Sequence, residues 1–121
     1  MTAPTVRPVH DDEYATWHGV VRTAMLSPAP TPEQVEAYRA ESDLSRTLGA
    51  FDDAGEVCGT ARSFATELTV PGGVVPAGAV TAVGVLPTHR RRGLLTALMQ
   101  DDLAAAAARG VGVAVLISAE A

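Results

Sequence analysis

Hydrophobic residues change their period several times along this chain, and each change marks an element. Tyr14, Trp17, Val21 and Met25 recur at helical spacing behind the acids Asp11, Asp12 and Glu13, which predicts a first helix with one buried stripe. Residues 5–9, just before it, read as a short strand interrupted by Pro8. A loop with two prolines follows at 27–30. Thr31-Pro32-Glu33-Gln34 then forms a capping box with proline at the first helical position, opening a helix that fades near Glu41. The texture next turns to β: a strand over 47–51, an Asp-Asp-Ala-Gly hairpin turn over 52–55, and a long strand over 57–70 broken by Pro71-Gly72-Gly73. A third strand of this meander covers 79–85 with Gly84 inside it, where a glycine marks a bulge or the close approach of another backbone. Residues 94–109 are strongly helical, with Leu95, Leu98, Met99 and Leu103 on one side and Gly110 as a stop. An apolar strand over 111–117 follows. The order β-α-α-β-β-β-α-β predicts a mixed, mostly antiparallel α/β sheet with one β-α-β crossover.

Composition narrows the class. The 121 residues amount to one domain, and a hydrophobic share of 47% is ordinary for a globular chain. Aromatics are only 4%, so the core must be built from Val, Leu and Ala. No run reaches the roughly 20 apolar residues of a membrane span. The opening Met-Thr-Ala-Pro lacks a charged-then-apolar leader, and the lone Cys58 excludes an internal disulfide. Together these predict a cytoplasmic chain with no membrane partner. The net charge is −5 and the pI about 5.0, which disfavours wholesale binding to nucleic acid.

Against that acidic total, Arg90, Arg91 and Arg92 stand together at the start of the last helix, where the macrodipole is already positive. All 9 basic residues are arginine, which coding bias explains for the chain as a whole but not for this cluster. A strand, a tight loop and a helix opened by Arg-x-x-Gly have the parts of an anion site. First-turn N–H groups point outward, Gly93 lets a ligand lie against the backbone, Thr88 can cap the helix, and arginine forks match phosphate oxygens. The phosphate loop with its lysine and the dinucleotide Gly-x-Gly-x-x-Gly are both absent. Coenzyme A fits better, with its diphosphate on the loop and its amide-bearing arm paired to Val83-Gly84-Val85. An exposed basic helix cap is the bland alternative.

This segment resembles the coenzyme A signature of the Gcn5-related N-acetyltransferases (GNAT), Arg/Gln-x-x-Gly-x-Gly/Ala, with Arg90 in the first position and Gly93 in the first glycine position. Leu95 stands where a small residue is usual. The longer run Ala-Val-x-Ala-Val-x-Val-x-Pro-Thr-His-Arg-Arg-Arg-Gly-Leu-Leu, with Leu68-Thr69-Val70-Pro71-Gly72 upstream, is similar to the enhanced-intracellular-survival branch, in which that leucine is normal. The likeness is sharp over 68–120 and vague over 1–50. It implies a GNAT-like sheet with helices on both faces and acetyl-coenzyme A as cosubstrate. Val83, Gly84 and Val85 would bind the pantetheine and acetyl portion through backbone atoms. Arg91, Arg92, Gly93, Leu94, Leu95 and Thr96 would hold the phosphates. Ala119 and Glu120 match a further contact near the thioester, where serine is more usual at 119. The acceptor implied is a small-molecule amine (aminoglycoside, polyamine or lysine-like), and the assembly a homo-oligomer, hexameric in that branch.

In such enzymes a tyrosine shortly after the last strand is the usual acid, and none follows before Ala121. Residues 1–121 are therefore expected to form the N-terminal part of an acetyltransferase domain, truncated after the fifth strand, with no catalytic residue of its own. A non-catalytic coenzyme A-binding or regulatory domain is the alternative. Other candidates carry less. Cys58 has no adjacent histidine to activate it. His10, His18 and His89 are too scattered for a metal, and His89 belongs with the loop. Trp17 reads as core. Glu33, Glu36 and Glu41 form a solvated face or an acidic rim for a polycation.

Overall fold

Each strand pairs with its successor. The computed structural model describes residues 5–89 and 93–116. They form β1 (Thr5–Pro8), α1 (Tyr14–Ala24), α2 (Pro32–Glu41), β2 (Thr47–Phe51), β3 (Val57–Val70), β4 (Gly73–Val85), α3 (Leu94–Ala108) and β5 (Ala114–Leu116). The sheet runs β1-β2-β3-β4-β5, antiparallel except for the parallel β4–β5 pair that α3 connects. This is the predicted mixed α/β order.

Local chemistry explains most boundaries. Thr31 Oγ1 accepts from the Gln34 N–H at 3.2 Å while Gln34 Oε1 accepts from the Thr31 N–H at 3.0 Å, closing the capping box of α2. The Gly55 N–H donates to Asp52 O at 2.9 Å, and Asp52 Oδ1 accepts from the Ala54 and Glu56 N–H groups, which together shape the β2–β3 turn. Gly110, at φ 79°, follows α3 as the left-handed stop.

Two apolar clusters sandwich the sheet. Tyr14, Trp17, Val20 and Val21 of α1 pack with Phe51 and Val57 on one side. Leu94 and Leu98 of α3 pack with Leu48, Ala50, Cys58 and Ala61 on the other. The Trp17 indole N–H donates to Leu48 O at 2.8 Å, so the buried ring keeps its hydrogen bond while tying α1 to β2. Among the described residues no helix is long and apolar enough to cross a membrane.

Four expectations need correction. Met25 is 48% exposed, because α1 ends at Ala24 and the next residues turn away. The third meander strand begins at Gly73, not 79, since β3 pairs with it along its whole length down to Val70↔Gly73. The buried line of α3 is Leu94, Leu98, Asp102 and Ala106, whereas Leu95 and Leu103 are about half exposed and Met99 is partly buried. The last strand, as described, is the three residues of β5; position 117 lies outside the described residues.

Candidate functional site

Near its C-terminal end β4 breaks step with β3. Arg62 faces Thr81 and Thr60 faces Gly84, so Ala82 and Val83 together oppose Ala61 in a β-bulge. Ala82 takes φ 54°, uncommon for a residue with a Cβ. Thr60, fully buried, donates its hydroxyl to Ala82 O at 2.7 Å and holds the bulge. Past it, Val83 and Val85 turn to the α3 cluster, while Ala82 packs on the α1 cluster. A Cβ on Gly84 would stand 2.7 Å from the Ala24 Cβ. The sequence reading of Gly84 thus meets both a bulge and a close approach, the approaching group being a side chain rather than backbone. Among the described residues β5 pairs with β4 only as far as Val80.

The chain after β4 is pinned to the sheet. The Leu86 N–H donates to Cys58 O at 2.9 Å, and residues Pro87–His89 make one 3-10 turn closed by the His89 N–H on Leu86 O. The His89 ring joins Thr88 Oγ1 at 2.8 Å through Nδ1 and stands 3.4 Å from Asp52 Oδ2 through Nε2. The Glu56 N–H, with smaller help from Ala54 and His89, holds the Asp52 carboxyl below its ordinary range. His89 is therefore a loop anchor. Thr88, occupied by His89, does not cap α3 as expected. The N-cap is Gly93, at φ 74°, with no side-chain cap and, among the described residues, nothing within 4 Å of where a Cβ would be.

An open helix start results. The first bond of α3 is the Ala97 N–H on Gly93 O at 3.0 Å, so the N–H groups of Leu94, Leu95 and Thr96 have no acceptor within the helix. Its first turn carries no acid. Leu94 buries its side chain in the core, leaving its backbone N–H as the group on offer; Leu95 and Thr96 are exposed. Of the residues expected at the phosphates and thioester, Arg91, Arg92, Ala119 and Glu120 lie outside the described residues.

On the α1 side, beside the bulge, lies a cavity of about 280 Å³ lined by His18, Arg22, Tyr38, Arg62, Thr81 and Ala82 among others. His18 is 5% exposed and stacks edge-on to Tyr38 at 5.0 Å between ring centroids. Burial, with Arg22 and Arg62 nearby, pushes its imidazole below the usual histidine value. Its Nδ1 is buried without a hydrogen-bond partner among the described residues. Sequence reading missed this grouping; the one signal available was the helical i, i+4 spacing of His18 and Arg22. Cys58 sits in the core as expected, 1% exposed. His10 approaches Asp12 and Glu13 within 4.8 Å rather than the other histidines, and Glu13 is engaged there by Arg7 at 2.8–2.9 Å.

Residues 5–121 match the family model described as the acetyltransferase (GNAT) domain. A Streptomyces griseus protein named "uncharacterized N-acetyltransferase" is 52% identical over 117 residues, which are 95% of this chain and 28% of the relative. The N-acetyltransferase Eis of Mycobacterium tuberculosis is 36% identical over 126 residues, covering 99% of this chain and 30% of that protein. The crystal structure of Eis1 from Mycobacterium abscessus superposes with a TM-score of 0.83 at 41% identity, over 97% of this chain and 29% of that one. The chain thus spans under a third of the length of these relatives.

Proposed function

Because this chain belongs to the GNAT acetyltransferase family, we propose that it provides the acetyl-coenzyme A-binding part of an N-acetyltransferase acting on an amine. The supporting observation is the open start of α3. Gly93 in the left-handed conformation, with no described neighbour within 4 Å of a Cβ built there, precedes three N–H groups without an acceptor among the described residues and a first turn free of acids. These are the features a phosphate group needs at a helix N-terminus.

In this reading Gly93, Leu94, Leu95 and Thr96 hold the diphosphate through backbone N–H groups, with Arg91 and Arg92 adding charge. Val83, Gly84 and Val85 offer backbone groups to the pantetheine arm where the described β4–β5 pairing has stopped. Ala119 and Glu120 remain assigned near the thioester by family likeness. Acetyl-coenzyme A, when bound, supplies an activated acetyl thioester: the acceptor nitrogen gains the acetyl carbon, the carbon–sulfur bond breaks, and the thiol leaves with a proton. The bulge at Ala82–Val83 aims the strand, and Thr60 and Ala24 hold it in place.

Calorimetric titration with acetyl-coenzyme A tests the binding, and thiol release with and without an amine separates transfer from binding alone. Absence of binding to the folded chain would refute the assignment.

A further inference from the structure

The cavity beside the bulge is charged in one sense. Arg22 from α1 and Arg62 from β3 stand in its wall, and none of its described lining residues is a carboxylate. Neither arginine has an ion-pair partner among the described residues; Arg22 makes a long 3.5 Å contact to Pro28 O. His18 adds a buried Nδ1 without a partner among the described residues. The cavity adjoins the proposed acetyl end of the site: Arg62 faces Thr81 in register, and Ala82, also in the wall, immediately precedes Val83.

We propose that this cavity receives an anionic group, a carboxylate or phosphate, carried by the amine that accepts the acetyl, with Arg22 and Arg62 as the residues that select it. The inference rests on the reading of Val83–Val85 as the acetyl-bearing strand. An acceptor with a second ammonium group would meet two guanidinium charges here in a partly desolvated space, whereas two guanidinium forks match carboxylate or phosphate oxygens. Burial, with Arg22 and Arg62 nearby, disfavours a charged His18 imidazole, and its buried Nδ1 is a further hydrogen-bonding group in the wall. At about 280 Å³ the space lies at the small end of ligand pockets, a fit for the anionic end of a small amine rather than an aminoglycoside. The acids expected to form a rim for a polycation do not line it. Glu33, Glu36 and Glu41 lie exposed on α2, and Glu36 borders a different groove with Asp11 and Arg39.

Calorimetry on the chain, with and without coenzyme A, can compare O-phosphoethanolamine with ethanolamine and β-alanine with β-alaninamide, with spermidine as the polycation. The anionic member of each pair should bind at least about tenfold more tightly. That preference should fall to near parity in Arg62→Gln and in Arg22→Gln, with coenzyme A affinity and the melting curve retained. Equal binding within both pairs, tighter binding of spermidine, or a preference that survives both substitutions would overturn the proposal. Coenzyme A binding without an anion preference defeats this inference alone. An anion preference without coenzyme A binding defeats the proposed function and leaves the cavity assignment standing.

Discussion

Gly84 of β4 lies directly under Ala24, the last residue of α1: a Cβ built on the glycine would sit 2.7 Å from the alanine methyl carbon. Gly84→Ala should therefore push α1 off the sheet at a cost of about 1–3 kcal/mol, a Tm loss on the order of 5–10 °C. Ala24→Gly in the same chain should recover most of it, since the clash involves that one methyl. A thermal melt decides; an unchanged Tm in the single variant would mean that the helix end yields freely.

Gly93 separates backbone strain from access to the helix start. At φ 74° a β-branched residue is strained by about 1–2 kcal/mol, whereas asparagine tolerates the left-handed region. Gly93→Val should reduce acetyl-coenzyme A affinity at least about tenfold, some 1.4 kcal/mol. Gly93→Asn should keep the melting temperature and lose less affinity. Equal affinities for valine, asparagine and glycine would show that nothing binds there.

Thr60 supports the bulge through one bond, Oγ1 to Ala82 O at 2.7 Å, at a fully buried position. Thr60→Val keeps the shape and removes the donor, which leaves the carbonyl short of a partner at about 1–3 kcal/mol. Amide exchange at Ala82, Val83 and Gly84 should accelerate in the valine variant and return toward normal in Thr60→Ser. Unchanged exchange would place the origin of the bulge elsewhere.

A pH dependence follows from Glu13. The paired hydrogen bonds from Arg7, then the His10 N–H, lower its carboxyl from 4.5 to about 2. A folded value below the unfolded one contributes stability that is fully present above pH 4.5 and fades as pH falls toward 2. Glu13→Gln should flatten the stability profile across that window and change little near pH 7 beyond a constant offset. Urea midpoints at pH 5, 4, 3 and 2.5 in both chains would check it; parallel curves would contradict the assignment.

Legibility from sequence followed contrast. The bounds of β2 and β3 could be read because β-branched and aromatic runs end at Asp-Asp-Ala-Gly and Pro-Gly, and the capping box named the start of α2. The first half of β4 could not, since Pro76, Ala77 and Gly78 have little strand propensity and are held there by pairing with β3. In α3 the leucines and alanines surround the helix almost completely, so the pattern had no phase, and Asp102 on the inner line pointed the wrong way. Gly93 was readable as the glycine that opens α3. The arginine cavity was not, because Arg22 and Arg62 meet through the packing of α1 against β3 and β4, which no local pattern encodes.

The bulge gives β4 something like a reading frame. A strand alternates its faces in twos, and the extra residue at Ala82–Val83 shifts that count once, which lets Val83 and Val85 meet α3 while Gly84 meets Ala24. Closing the bulge without shortening the strand would slide Val83 opposite Thr60 and put valine side chains against Ala24, whereas removing Ala82 would leave a regular ladder with Gly84 still opposite Thr60. Point substitutions in this stretch, and removal of Ala82 itself, spare the frame; a one-residue slip of β4 along β3 rewrites it.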